Sequence, residues 1–147
     1  MRSRRVVCLA ALMCLAMACK DDAPTQSTLL SGTFDLSTVD GQPLPFLDWV
    51  TMAQDTLFIT GGEVRTLSRG RVSLVLRSRW HTPSGGPQPE ASDTLVLTYR
   101  ENGSMILFEH PTYMDTAQVA GEALNVRTFV NRGQGITFHR AMIYYRR

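Results

Sequence analysis

Cysteine is scarce in this chain. Its 147 residues hold three, Cys8, Cys14 and Cys19, all near the start. Everything after Lys20 therefore lacks a disulfide, a thiol nucleophile and a cysteine metal site. Lysine is scarcer, Lys20 alone, so arginine supplies nearly all the positive charge. A strong charge of one sign is also missing, with 15 basic against 13 acidic residues. Without Arg2, Arg4 and Arg5 of the N-terminal segment, 12 basic residues face 13 acidic ones. That balance gives no footing for a nucleic-acid partner. No G-x-S-x-G, P-loop or H-E-x-x-H occurs. Asp48, Asp55, Glu63 and Glu109 are scattered, with no spacing that pairs them for two-carboxylate hydrolysis. No catalytic residue is expected. His81, His110 and His139 have no close-spaced partner such as H-x-H, so no metal or cofactor is expected either. Long apolar runs are absent but for Val6 to Ala18, and those 13 residues fall short of the roughly 20 that span a membrane as a helix.

That run follows Met1-Arg2-Ser3-Arg4-Arg5 and ends in Ala16-Met17-Ala18. A charged start, an apolar middle and an A-x-A end are the parts of a secretory signal, here cut after Ala18. Two outcomes share that bond. Ala16-Met17-Ala18-Cys19 resembles a bacterial lipobox, in which Cys19 would be acylated, palmitate being a typical chain. The alternative is ordinary secretion, periplasmic or beyond, with a free thiol on Cys19. A cysteine directly after the cut favours lipidation. Lys20 stands where inner-membrane retention usually wants Asp, which points to the outer membrane. Each buried methylene contributes about 0.8 kcal/mol, so several chains on one cysteine hold firmly. The expectation is a cell-envelope protein whose partner is the membrane, reached through Cys19.

The chain divides into a signal at 1–18, a lipidated cysteine and polar tether at 19–31, and one domain at 32–147. About 116 residues suit a single core that needs no staples, and a monomer is expected. The pattern is β throughout, with apolar and polar residues alternating between turn signals. Gly32 to Val39 is a first strand, closed by Asp40-Gly41. Pro43 and Pro45 forbid a continuing ladder. Phe46 to Gln54 reads as a helical turn or a short strand. Thr56 to Thr60 is a strand, and Gly61-Gly62 allows a sharp bend into Glu63 to Leu67. His81 to Ser92, with three prolines and Gly85-Gly86, reads as an exposed, mobile loop.

Cross-strand pairing tests the hairpins, because paired residues face one side. Asn102-Gly103 as a type I′ turn pairs Tyr99 with Ile106, Leu97 with Phe108 and Leu95 with His110. A loop at Ser68-Arg69-Gly70 pairs Val64 with Leu74 and Thr66 with Val72. Gly121-Glu122 as a type II′ turn pairs Val119 with Leu124 and Ala117 with Val126. Trp80 shares a face with Leu74 and Leu76. Arg69, Arg71, Arg77 and Arg79 read as a solvated surface. In the last strand, Ile136 to Tyr145, either Phe138, Arg140, Met142 and Tyr144 face inward, or their neighbours do, with a bulge as the means of switching.

Strands joined as successive hairpins must hide their edges. An all-β antiparallel up-and-down barrel of about eight strands does so, and a β-sandwich is the alternative. SGTFDL at 31–36, GQPLP at 41–45, TLFITGGEVRTL with GRVSL over 56–74, TLVLTYRENGS at 94–104 and IYYRR at 143–147 resemble the small lipocalin-like lipoproteins of bacteria. Gly32-Thr33-Phe34 is similar to the lipocalin G-x-W, with Phe34 in the tryptophan place. The resemblance implies an eight-stranded barrel and, for most members, no known activity. Such a barrel is either filled by side chains or holds one small ligand. Candidate lining residues for a small apolar ligand are Leu74, Leu76, Trp80, Leu95, Leu97, Tyr99, Phe108 and Phe138. The competing expectation is a filled barrel that acts through its surface, as a structural or interaction protein or an inhibitor.

Overall fold

Alternation becomes strand along the whole domain. The computed structural model describes residues 29–131 and 137–147, with the side chains of 129–138 excepted. Among the described residues there is no helix, and the strands are β1 (Thr33–Val39), β2 (Gln42–Pro43), β3 (Phe46–Val50), β4 (Thr56–Leu67), β5 (Arg71–Thr82), β6 (Gly86–Pro87), β7 (Ala91–Asn102), β8 (Met105–Glu109), β9 (Met114–Ala120), β10 (Ala123–Asn131) and β11 (Thr137–Arg146). Eight of them close on themselves in the order β1-β11-β10-β9-β8-β7-β5-β4, and β4 returns to β1. Every pairing is antiparallel. The fold is a closed barrel with β2, β3 and β6 outside the ring, and the sandwich is set aside.

Two hairpins have the register that their turns imply. Val64 faces Leu74 and Thr66 faces Val72; Val119 faces Leu124 and Ala117 faces Val126. At the third the register moves by two. Tyr99 faces Phe108, Glu101 faces Ile106 and Asn102 faces Met105, so Leu95 does not meet His110. The loop is Gly103-Ser104, with positive φ at Gly103 alone. That is the glycine-first requirement of a type II′ turn, whereas type I′ needs positive φ at both positions. A shift of two preserves parity, so the faces assigned from sequence survive.

The ambiguous stretch resolves as its strand alternative: Phe46 to Val50 is β3, paired with β4. Two other expectations change. Gly61-Gly62 makes no sharp bend: β4 runs through, with a bulge at Thr60 that moves the inward side from Leu57 and Ile59 to Gly62 and Val64. The stretch from His81 is exposed, as expected, but half of it is strand, because β5 runs to Thr82, β6 folds back on it and β7 begins at Ala91. In β11 Arg140, Met142 and Tyr144 share the inward face, with Met142 and Tyr144 buried. The switch of face lies in β1, between Leu36 and Thr38, and not in β11.

One end of the barrel is solid. Phe34, Val64, Val72, Ile106, Phe108 and Leu124 are wholly buried in one cluster, each contributing about 1.5–3 kcal/mol of burial. This end, the root, carries the hairpins at 67–71, 102–105 and 120–123, and the chain enters it at Thr33 and leaves at Arg146. Leu30, within the stretch expected as tether, is only 1% exposed and belongs to the core. Thr66 ties down the entry, accepting from the Gly32 N–H at 2.9 Å and donating to its carbonyl at 3.0 Å. The Arg146 guanidinium stands 5.1 Å from the Phe34 ring centre and caps the root.

Candidate functional site

The opposite end, the mouth, is built differently. Strands β4, β5 and β7 outrun β8, which pairs only with residues 98–102 of β7. The inner face of this longer wall is mostly apolar, Ser78 and Asp93 excepted, and loses its cover towards the mouth. Val72 is buried and Leu74 and Leu76 are half-buried, while Trp80 is 37% exposed. Leu97 is buried, but Leu95, facing Leu74, is 45% exposed. Trp49, Leu57 and Trp80 are cross-strand neighbours on β3, β4 and β5. Both tryptophans of the chain therefore flank the buried Leu57 at this end.

The facing wall, β9, β10 and β11, carries polar side chains towards this end. Asp115 is 2% exposed and lies on the inward side of β9, in line with Ala117. Its Oδ2 accepts from the Thr128 hydroxyl at 2.7 Å and meets His110 Nε2 at 2.8 Å. The His110 ring is stacked on Tyr113, with 4.0 Å between centres. Thr128 is paired with Arg140 on β11. Arg140 donates from Nε to Asp48 at 3.1 Å and pairs with Asp40 at 2.9 Å. Its guanidinium also stands 5.3 Å from the Phe46 ring centre. A polar row thus runs from His110 through Asp115 and Thr128 to Arg140 and the buried carboxylate of Asp48. Burial, and then the Asp115 charge, raise the Tyr144 phenol well above its ordinary pKa.

This arrangement suits recognition more than proton transfer. Asp115 Oδ2 bridges His110 and Thr128, so the imidazole meets the carboxylate and not the hydroxyl it would have to activate. No group of three or more potential metal ligands occurs among the described residues. An apolar wall opposite a hydrogen-bonding one is the usual make-up of a small-molecule site.

Of the residues expected to line a ligand, Trp80 and Leu95 stand at the mouth. Leu74, Leu76 and Tyr99 are half-buried against the core, and Leu97 and Phe108 are inside it. Phe138 is paired with Val130, but its side chain lies outside the described residues, as do Ala18 and Cys19. Sequence reasoning missed Asp115, Thr128, Trp49 and the partners of Arg140. Parity held one signal: Ala117 and Val119 point inward, so Asp115 must as well.

No known family, no curated protein and no solved structure matches the chain. The class defined by the fold is a closed eight-stranded antiparallel barrel, consistent with a calycin-like barrel.

Proposed function

We propose that this protein is a lipocalin-like envelope lipoprotein, anchored through acylated Cys19, whose barrel mouth holds a small, largely apolar molecule. The observation that carries the reading is the exposure of Trp80 and Leu95 on the inner face, opposite the Asp115–Thr128–Arg140 row. Apolar side chains left uncovered inside a barrel are matched to an apolar ligand, and convergent polar groups orient its polar end. The filled root confines that ligand to the outer part of the barrel. The tether joins at the root, so an anchored molecule would present its mouth away from the membrane. The packed root equally favours the second reading, a protein that acts through its surface.

Both tryptophans flank the mouth, so their fluorescence reports its occupancy. Titration of the full chain with long-chain fatty acids should shift the emission to shorter wavelength and saturate. Leu95→Arg should weaken the response about tenfold or more, the loss of roughly 1.4 kcal/mol. An unchanged spectrum at millimolar ligand would count against the reading for this ligand class. Mass spectrometry of the mature N-terminus tests the anchor separately: an acylated Cys19 is expected, and a free thiol would remove it.

A further inference from the structure

Among the described residues, the barrel wall has an unpaired strand edge beside the mouth. From Ala91 to Thr98, β7 is paired without interruption to β5, but β8 reaches only Thr98. The Tyr99 N–H donates to the Gly70 carbonyl at 2.9 Å, on the β5 side. Backbone groups alternate sides along a strand. The N–H and C=O of Ser92, Thr94 and Val96 therefore point away from β5, and no bond to them occurs among the described residues.

Folded proteins usually blunt such an edge with lysine, proline, a bulge or a covering loop. Here residues 91–97 contain neither lysine nor proline, and the ladder to β5 has no bulge. Leu95 and Val96 are both exposed, Val96 at 51%. The inward side of the edge also carries Asp93, exposed and without an ion-pair partner among the described residues. A second copy is a poor match. Antiparallel self-pairing about Thr94 would set each Asp93 against Leu95 of the other molecule, burying a carboxylate on an apolar side chain.

We propose that this edge docks an extended peptide segment of another protein. The segment would add as a strand antiparallel to β7, in line with β8. Its backbone would pair with Ser92, Thr94 and Val96, with an apolar residue opposite Leu95 and a basic residue opposite Asp93. Main-chain bonds supply affinity in strand addition, and the alternate side chains supply selectivity. The site shares Leu95 with a ligand in the mouth, but it is read at the backbone of Ser92, Thr94 and Val96, so each can fail without the other.

The probe is the capped peptide Thr-Val-Thr-Arg-Thr, which places Val opposite Leu95 and Arg opposite Asp93. Amide NMR of the full chain should show saturable shifts and slowed hydrogen exchange at Ser92, Thr94 and Val96. Replacing the peptide's Arg by Asp should weaken binding about tenfold. Asp93→Arg should reverse that preference. Thr94→Pro should abolish binding while leaving the β5 ladder intact, because the lost N–H faces away from β5. Four results would overturn the proposal. Two are equal binding by Thr94→Pro and no binding at millimolar peptide. Another is self-association that Thr94→Pro abolishes, which assigns the edge to a second copy. The last is slow exchange of these amides in the free chain, which assigns it to a segment of the same molecule.

Discussion

A carboxylate as buried as Asp115 is stable only if its oxygens are hydrogen-bonded. Thr128 and His110 both bond its Oδ2. Asp115→Ala would strip both partners at once, and chemical denaturation should register a loss of about 1–3 kcal/mol. Arg140 plays the corresponding part on β11, holding the buried carboxylate of Asp48. Arg140→Ala removes the guanidinium from that buried carboxylate, and a loss of about 3 kcal/mol is expected from the same measurement. Tyr144 gives a pH test. Its phenol is raised by burial first and by Asp115 second, so the unfolded chain ionises it at lower pH than the folded one. Its contribution is intact below about pH 10, the ordinary phenol value, and is lost as pH rises from there towards the folded value. Denaturation midpoints measured between pH 8 and 11 should fall at the alkaline end, and Tyr144→Phe should flatten that fall.

Among the elements, β4 shows how one residue sets a path. At Gly62 an added Cβ would lie 2.9 Å from the Val75 carbonyl oxygen and 3.3 Å from Leu36. Strands β4, β5 and β1 approach one another there with no room for a side chain. Gly62→Ala should cost about 1–3 kcal/mol in denaturant unfolding. Gly61→Ala meets only the flexible Arg77 guanidinium, at 3.0 Å, and should cost much less. The hairpins explain what could be read without a structure. Turn chemistry and alternation fixed the pairing at 68–70 and 121–122. They failed by two residues at 102–105, because Asn102-Gly103 and Gly103-Ser104 both satisfy a hairpin turn and both keep the same faces. The bulges at Thr60 and near Ser37 have no comparable local signal, since each depends on a neighbouring strand.

For the whole molecule, closure was legible and the division of the barrel was not. Eight strands in hairpin succession demand a closed ring, but which stretch of the interior is filled depends on strand lengths. Those in turn depend on where β8 stops and how far β5 and β7 continue. The His110–Asp115–Thr128 trio draws on two strands and a loop, and its members are too far apart in sequence to announce one another. The result is a molecule with a packed root where the chain enters and a two-sided mouth at the other end. The most direct test of that division is native mass spectrometry of the full chain after gentle purification. A bound small molecule of constant mass is expected, lost in Leu95→Arg and retained when the root cap is altered by Arg146→Gln. A bare polypeptide mass in the unaltered protein, or an adduct that survives Leu95→Arg, would contradict it.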